Sequence, residues 1–217
     1  MICSTTRRSP QKSCHNIAIA LDSYERSPLY GRIKRLGTAT PGRKGETLTQ
    51  ATVVESLMNY ISDEPGQDRD TFIRKLFPRK ATGSERKRLI FRNLFLEEND
   101  SDIAEILLQY FLAVQEKWPE AWDNPQWQGN ILPKTNGFKG LMRFLRDAYL
   151  SIVGDEIGKV PSKAEFFSVF SRAPIQDYDF DITNFPPGTS GERTLYDWLK
   201  RTTLPETPKQ NSLNLWP

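Results

Sequence analysis

The stretch DIAEILLQYFLAVQEKW, residues 102–118, carries the clearest structural signal in the chain. Its apolar residues recur every three or four positions, and this spacing places them on one face of an α-helix. Asp102 stands three residues before Glu105, a capping box with Asp in the place of Ser or Thr, which predicts that the helix begins there. The apolar stripe consists of Ile103, Ile106, Leu107, Tyr110, Phe111, Val114 and Trp118.

A second stretch with the same periodicity covers residues 137–153 and predicts another long helix. Because both stripes are wide, each needs a partner that covers it, and we expect the two helices to pack together as the structural core. The segment between them, which holds Trp122 and Trp127, is predicted to be a long loop. The stripe of the second helix consists of Phe138, Leu141, Met142, Leu145, Ala148, Tyr149 and Ile152.

Weaker helical signals lie on either side of these two helices. They combine apolar residues at helical spacing with residue types that satisfy free N–H groups at a helix N-terminus. Each signal predicts a shorter helix with its own cap. The residues predicted to cap or begin these helices are Ser13, Thr49, Ser162 with Glu165, and Thr189 with Glu192.

Residues 30–36 alternate imperfectly between apolar and basic positions, which is typical of a strand. The predicted fold class is therefore mainly α, a multi-helix compact domain with a minor strand or hairpin near residues 29–48. We expect one mostly helical domain at 13–202, with a flexible segment at 1–12 and a tail at 203–217. The N-terminal end of that domain is expected to be poorly covered and weakly protected from hydrogen exchange.

The composition excludes several classes of protein. Hydrophobic residues make up 37% and aromatic residues 11% of the 217, enough for a packed core, and collagen-like, low-complexity and disulfide-scaffold chains are excluded. No apolar run approaches the roughly 20 residues of a membrane-spanning helix. No signal peptide is visible, so we expect a cytoplasmic protein with no membrane partner.

The cysteine and histidine content limits the possible chemistry. Two cysteines and one histidine cannot build an ordinary zinc site of Cys and His ligands, and we expect neither a metal nor another cofactor. Cys3 and Cys14 either form a disulfide or remain reduced thiols, and the reduced form is favoured in a cytoplasmic protein. Cys14 and His15 are neighbours on a predicted helix, where their side chains diverge by about 100°, so a nucleophile–base pair is not expected.

Charge is unevenly distributed along the chain. Residues 1–92 contain 18 Lys and Arg against 9 Asp and Glu, whereas residues 93–217 contain 12 against 18. One interpretation is a surface at the basic end that faces a polyanion. The other is that two complementary halves dock on each other.

Two basic clusters stand out within the first half. Lysines and arginines on a strand and loop with aromatic neighbours, here Tyr24 and Tyr30, are suited to nucleic-acid backbones. Such runs also occur as ordinary solvated surface. We expect binding of nucleic acid at Arg26, Arg32, Lys34, Arg35, Arg43 and Lys44, and at Arg86, Lys87 and Arg88.

An acidic run offers a different possibility. Asp177, Asp179 and Asp181 alternate with aromatic residues, so on a strand their carboxylates would share one face and could hold a cation. The glycine and distal glutamate of a calcium loop are missing, which favours a solvated edge. No pair of carboxylates is placed for acid–base catalysis, and no catalytic residue is expected.

Six segments together resemble the C-terminal half of DGQHR-domain proteins, the group that includes DndB-like proteins. The resemblance covers most of the chain as a set of short matching words. The family's namesake Asp-Gly-Gln-His-Arg motif is absent from this sequence, so the chain is expected to correspond to a family member without its N-terminal portion. The matching segments are STTRRSPQKSCHNIAIAL (4–21), SPLYGRIKRLG (27–37), LTQATVVESL (48–57), the region 106–122, KTNGFKGLMRFL (134–145) and PPGTSGERTLYDWL (186–199).

The resemblance implies a function connected with DNA. Members of the family occur with bacterial DNA-modification and phage-defence systems, and DndB is associated with transcriptional control of phosphorothioation genes. We therefore expect a DNA-associated accessory or regulatory protein, non-catalytic on its own, whose partners are DNA and DNA-modification or defence proteins. One alternative is a protein–protein interaction module that docks on a missing N-terminal half or on a partner subunit. Another is a degenerate enzyme remnant.

Overall fold

The computed structural model describes residues 8–35, 38, 40–43 and 45–204, and it confirms a mainly helical, compact fold. Among the described residues, no helix is both long and apolar enough to cross a bilayer. A short 3₁₀ helix, Asp177–Asp179, precedes the last helix. The α-helices are α1 (Pro10–Ser23), α2 (Gln50–Met58), α3 (Pro65–Ile73), α4 (Gly83–Arg88), α5 (Arg92–Leu96), α6 (Asp100–Lys117), α7 (Pro119–Asp123), α8 (Thr135–Val153), α9 (Lys163–Phe170) and α10 (Thr189–Thr203).

The minor strand predicted near residues 29–48 is present and has a partner. Strands β1 (Ile33–Lys34) and β2 (Leu48–Thr49) pair in parallel, with Ile33 opposite Leu48. Because the pairing is parallel, the two strands do not form a hairpin, and the chain between them crosses back to the same end of the pair.

The two long helices α6 and α8 meet, but each has another helix as its main partner. Helix α8 packs chiefly against α10, and α6 packs chiefly against α9. Large aromatic side chains separate α6 from α8: the rings of Phe111 and Phe138 stack with centroids 5.5 Å apart, and the Tyr110 hydroxyl donates to the Leu141 carbonyl at 2.7 Å. The α8–α10 approach is closer because α8 has Gly140 there, where a Cβ would lie 2.8 Å from Leu195 Cδ2.

The helix ends follow only some of the predicted caps. The Ser162–Glu165 capping box is confirmed at the start of α9. The other two predicted boxes are wrong, because α6 begins two residues earlier with Asn99 in the cap position, and Gly188 takes the cap position of α10. Gly188 has a φ of 90°, a conformation that glycine adopts without steric cost.

Helix α1 begins earlier than predicted and is well covered. The Ser9 side chain accepts a hydrogen bond from the Lys12 N–H at 3.2 Å and caps α1, whereas Ser13 lies inside the helix and is buried. Helix α1 packs against α2 and α6, which buries Ile17 and Leu21. The expected poor coverage of this end is therefore wrong for residues 10–21, while residues 1–7 of the predicted flexible segment and 205–217 of the predicted tail lie outside the described residues.

The predicted long loop after α6 contains a structured turn. Residues 119–123 form α7, and Trp122 is buried with its Nε1 donating to the Pro28 carbonyl at 3.2 Å. Trp118 is also buried, and its Nε1 donates to the Ile175 carbonyl at 3.0 Å. These indole contacts join distant parts of the chain and bring α7 beside the segment that leads into β1.

Candidate nucleic-acid interface

Asp22, in the last turn of α1, is the buried centre of the first basic cluster. Its side chain is fully buried, and Oδ1 accepts a hydrogen bond from the Ile33 N–H at 3.1 Å. Oδ2 accepts from Arg35 Nε at 2.9 Å and from Arg43 Nη1 at 2.6 Å. One carboxylate therefore fixes the start of β1 and holds together two guanidinium groups that are eight residues apart.

The two guanidinium groups keep a side that faces solvent. The side chains of Arg35 and Arg43 are 39% and 28% exposed, and Arg35 donates a further hydrogen bond to Ser23 Oγ at 2.7 Å. The hydrogen bond that Arg43 donates to Asp22 raises the pKa of Arg43 above its ordinary value. A guanidinium carries five N–H donors, so both groups retain donors beyond those that Asp22 engages.

Glu46 contacts two residues of the segment between β1 and β2, Thr40 and Arg43. Its Oε2 accepts a hydrogen bond from the Thr40 N–H at 2.8 Å, and Oε1 lies 3.9 Å from Arg43 Nη1. Burial raises the pKa of Glu46, but the hydrogen bonds from Thr40 and the charge of Arg43 outweigh burial, so the net pKa lies below its ordinary value. Glu46 is therefore a negative group that helps to hold Arg43 in place.

Arg32 has a structural role that its sequence position did not reveal. Its Nη1 donates to the Trp122 carbonyl at 2.8 Å, its Nη2 lies 3.1 Å from Asp123 Oδ1, and its guanidinium stands 5.4 Å from the centre of the Trp122 ring. Burial lowers the pKa of Arg32, while the Asp123 carboxylate acts in the opposite direction. Arg32 thus ties β1 to α7. Its replacement by Glu would therefore disturb the fold.

The remaining members of the first cluster are more open. Arg26 is exposed, and Lys34, which lies on β1, is partly exposed. Within the described residues, neither side chain has a carboxylate oxygen within 4.0 Å of its charged nitrogens. Tyr24 and Tyr30 are 46% and 47% exposed. Lys44 lies outside the described residues. We call Arg26, Lys34, Arg35 and Arg43 the arginine–lysine cluster.

An open cleft of about 490 Å³ adjoins this cluster. The residues that line it include Tyr30, Arg32, Arg43, Asp123 and Gln126. The cleft combines an aromatic ring with cationic groups, the two features with which proteins bind single-stranded nucleic acid.

The second predicted cluster lies on α4 and contacts other parts of the chain. Arg86 donates to the Ile157 carbonyl at 2.5 Å, and Lys87 Nζ lies 2.8 Å from Asp155. Arg88 forms an ion pair with Asp63. The hydrogen bond and charge of Lys87 lower the pKa of Asp155. In the described part of the chain, no hydrogen bond or ion pair joins this cluster to the arginine–lysine cluster.

The other chemical groups named from the sequence serve the fold. Asp177 accepts from the Ala121 N–H at 2.8 Å within a 3₁₀ helix, and Asp179 and Asp181 each accept backbone N–H groups in neighbouring turns. The segment is therefore not a strand, and in the described residues no acidic, His or Cys cluster could hold a metal. Burial raises the pKa of the Cys14 thiol to about 12, which keeps it protonated; Cys3 lies outside the described residues.

Asp22 is the functional candidate that sequence reasoning missed. It shares the buried face of α1 with Ile17, Ala18 and Leu21, so a carboxylate on that face requires a cationic or N–H partner. The basic run that begins ten residues later supplies that partner. The sequence feature that could have indicated this role is an acidic residue on the apolar face of a helix, followed by a run of basic residues.

The Asp22→Ala variant is expected to lower the free energy of unfolding by roughly 1.5–3 kcal/mol, because hydrogen bonds to a buried carboxylate are lost and the Ile33 N–H is left without its acceptor. Urea unfolding followed by circular dichroism measures the change. Glu25→Ala, an exposed carboxylate three residues away, is the control and should change stability by less than about 0.5 kcal/mol. Equal effects of the two substitutions would contradict the central role of Asp22.

Comparison of the chain with protein-family models, with curated proteins and with solved structures finds no match.

Proposed function

We propose that this chain is a DNA-associated accessory or regulatory protein of a bacterial DNA-modification or phage-defence system, with no catalytic step of its own. The observation that carries the proposal is the pair of guanidinium groups, Arg35 and Arg43, held by the buried Asp22 carboxylate. The proposal places the protein in the cytoplasm, with DNA and the proteins of the modification system as its partners.

Fixed guanidinium groups suit a phosphate backbone for a physical reason. A long side chain loses rotamer freedom when it binds a ligand, and this loss opposes binding. Asp22 already restricts Arg35 and Arg43, so less freedom remains to be lost. A guanidinium is planar, and its free N–H donors can form parallel hydrogen bonds to two oxygens of one phosphate.

The surroundings of these two residues favour a polyanion. The stretch from Tyr24 to Glu46 contains six lysines and arginines but only two acidic residues, Glu25 and Glu46. Arg26 and Lys34 add charges without a carboxylate neighbour in the described residues, and the exposed rings of Tyr24 and Tyr30 offer stacking surfaces. The connection with DNA modification rests on the resemblance of the sequence segments to DGQHR-domain proteins.

The double variant Arg26→Glu/Lys34→Glu tests the proposal with little risk to the fold, since neither side chain holds another element. Wild-type protein is expected to bind a short duplex of arbitrary sequence at about 50 mM salt and to lose affinity steeply towards 200 mM, because binding releases counterions. The variant should bind about tenfold or more weakly at low salt, and the slope of log affinity against log salt should fall by about one unit for each contact removed.

The matched control is Arg193→Glu/Arg201→Glu on α10, which makes the same change in net charge at two exposed positions. This control should retain most of the wild-type affinity and slope in fluorescence anisotropy. Wild-type protein that ignores duplex DNA even at low salt would overturn the proposal, and equal losses in the two double variants would show that net charge alone, not this cluster, governs binding.

A further inference from the structure

Tyr30 is an exposed aromatic residue whose backbone is fixed on both sides. The Tyr30 N–H donates to the Ser27 carbonyl at 2.9 Å, and the Gly31 N–H donates to the Asp22 carbonyl at 3.1 Å. Gly31 has a φ of 66°, which glycine adopts without steric cost. The ring of Tyr30, a residue that is 47% exposed, therefore leaves the chain at a fixed point. A positioned ring loses little freedom when a planar ligand covers it.

The cleft of about 490 Å³ beside Tyr30 is open at the backbone. Gly31 and Gly45 are among the residues that line it, so part of its surface carries no side chain. A Cβ placed on either glycine would meet no atom of the described residues within 4 Å, chain neighbours apart. Ligand sites commonly have volumes of about 300–1,000 Å³. The cleft therefore has room for one flat group with its sugar and phosphate.

Arg43 gives the cleft a cation with unused donors. Its Nη1 donates to Asp22 Oδ2 at 2.6 Å, whereas Nε and Nη2 have no hydrogen-bond partner among the described residues. The side chain is 28% exposed and lines the cleft. Nε and Nη2 lie on the same edge of the guanidinium, and such a pair forms parallel hydrogen bonds to two oxygens of one phosphate.

The charges around the cleft suit one phosphate and a neutral planar group. Besides Arg43, the charged residues that line it are Arg32 and Asp123, which pair with each other at 3.1 Å. Asp22 and Glu46, which hold Arg43, have side chains that are 0% and 3% exposed, so a ligand meets the guanidinium and not these carboxylates. A phosphate is attracted by Arg43 and repelled by Asp123, and it is therefore expected beside Arg43.

Two polar side chains of the cleft have hydrogen-bonding atoms left for the edge of a base. Gln126 is exposed, and its amide has no partner among the described residues. Asp123 Oδ1 accepts from Arg32 and Gln115, whereas Oδ2 has no partner in the same part of the chain. Amides and carboxylates of proteins bind the N–H and C=O groups of base edges. The pairing edge of a base is available to such groups only when the base is unpaired.

We propose that the cleft holds one unpaired nucleotide of a DNA strand, with its base on the Tyr30 ring and its phosphate on Arg43. The proposal rests on the function proposed above, because it specifies which form of DNA the same surface prefers. Inside a duplex, the neighbouring bases cover both faces of each base. The Tyr30 ring can therefore stack only on a base that is unpaired and turned out of the stack.

Fluorescence anisotropy of the full chain with three DNA probes tests the proposal. The probes are a single strand of mixed sequence, the same strand in a perfect duplex, and that duplex with one unpaired nucleotide at its centre. A surface that acts through charge alone favours the perfect duplex over the single strand, since the duplex has the higher charge density. We expect the single strand and the duplex with the unpaired nucleotide to bind about fivefold or more tightly than the perfect duplex.

Substitutions of Tyr30 show whether stacking causes this preference. Tyr30→Ala should reduce the affinity for both unpaired probes to that for the perfect duplex, because the ring is lost. Tyr30→Phe keeps the ring and should keep the preference. Equal losses in the two variants would assign the effect to the hydroxyl group and overturn the stacking proposal. Urea unfolding checks that both variants retain wild-type stability.

The matched control is Phe77→Ala, which removes another exposed ring. Phe77 is 82% exposed and follows the left-handed turn at Lys75, φ 60°, that comes after α3. Its ring contacts Phe72, which contacts Phe95, and the Arg8 guanidinium beside the N-terminal cap of α1 lies over the Phe95 ring. The cleft adjoins the other end of α1. Loss of the preference in this control would contradict the assignment to the cleft.

Photocrosslinking locates the base directly. A 5-iodouracil base at the unpaired position reacts under ultraviolet light with an aromatic ring on which it stacks. Mass spectrometry of the digested adduct should identify the peptide that contains Tyr30. Adducts only at residues outside the cleft would overturn the proposal even if the affinities followed the expected order.

Two competitors distinguish other sources of the same chemistry. A free deoxynucleoside monophosphate should not displace the single strand at equal concentration, because it lacks the adjoining phosphates that reach the rest of the arginine–lysine cluster. Displacement would assign the cleft to a free nucleotide and overturn the proposal. An RNA strand of the same sequence should compete no better than the DNA strand. Stronger competition that Tyr30→Ala abolishes would overturn the assignment to DNA.

Failure of this proposal and failure of the proposed function give different results. Salt-dependent binding of the perfect duplex that equals binding of the unpaired probes, with no effect of Tyr30→Ala, would overturn the cleft proposal and leave DNA association intact. Absence of binding to all three probes at about 50 mM salt would overturn both.

Discussion

Gly137→Ala is expected to lower the free energy of unfolding by about 4 kcal/mol or more, which is the range of exceptional single substitutions. Gly137 lies in the first turn of α8, where an added Cβ would come within 2.4 Å of the Ile131 carbonyl oxygen and 2.5 Å of the Leu132 carbonyl oxygen. Both neighbours are backbone atoms, so a rotamer change cannot relieve the overlap. Typical domains have only about 5–15 kcal/mol in total, and the variant should be visibly destabilised.

Gly140→Ala is the matched control for this substitution. Gly140 lies in the same helix, but its close contacts are side-chain atoms of Leu195, with Cδ2 at 2.8 Å and Cβ and Cγ at 3.1 Å, so a small shift of one side chain relieves the overlap. Alanine also favours helix over glycine by roughly 1 kcal/mol, which offsets part of the crowding. Urea unfolding should therefore separate the two variants by several kcal/mol, and a Gly137→Ala protein within about 1 kcal/mol of wild type would show that the 131–134 turn can move.

Arg92→Ala is expected to cost about 3–5 kcal/mol, because it leaves a buried carboxylate without its cation. Arg92 and Asp68 are 8% and 7% exposed and join through two hydrogen bonds, Nη1 to Oδ2 at 2.7 Å and Nη2 to Oδ1 at 3.0 Å. Ser62 Oγ also donates to Asp68 Oδ2. Chemical unfolding of the single variant measures the cost.

A double-mutant cycle separates pairing from packing at this site. Asp68→Leu/Arg92→Met removes both charges and keeps most of the volume, so it should be far closer to wild type than Arg92→Ala is. If the double variant were as unstable as the single one, the loss would come from the other Arg92 hydrogen bonds, to the Arg79 and Ile61 carbonyls.

The pair also gives the stability a pH dependence of known sign. Burial raises the pKa of Asp68, but the hydrogen bonds from Arg92 and Ser62 outweigh burial, so the net pKa lies below the ordinary 3.8. A carboxyl with a lowered pKa in the folded state contributes stability above its unfolded pKa and loses it as pH falls through the folded value. The free energy of unfolding of wild type, relative to that of the double variant, should therefore fall only below about pH 4.

Local patterns predicted the two long helices, α6 and α8, because helical periodicity depends only on residues within a few turns of the chain. The stripes of α6 and α8 needed no distant information. Their main partners could not be predicted in the same way, since the choice of α10 for α8 depends on Gly140 meeting Leu195, fifty-five residues later in the sequence.

The candidate site shows the same division between local and distant information. The basic run was visible in the sequence, but its organisation depends on contacts across long separations: Asp22 with Arg43, and Arg32 with the Trp122 carbonyl. Sequence reasoning treated all the cations as equivalent. In the structure, some of them contact other parts of the chain, as Arg32 does, whereas others, such as Arg26 and Lys34, have side chains that face solvent.

The lysine at the left-handed position after α3 matters for anyone who wishes to use this fold as a scaffold. A residue with a Cβ in that conformation costs roughly 1–2 kcal/mol relative to the right-handed helix, and glycine avoids most of this cost. Lys75→Gly is thus an obvious choice in a campaign for thermostability. The same change removes an exposed positive charge next to Leu76 and Phe77, which are 61% and 82% exposed, so a gain in heat resistance would also change the charge around these apolar side chains.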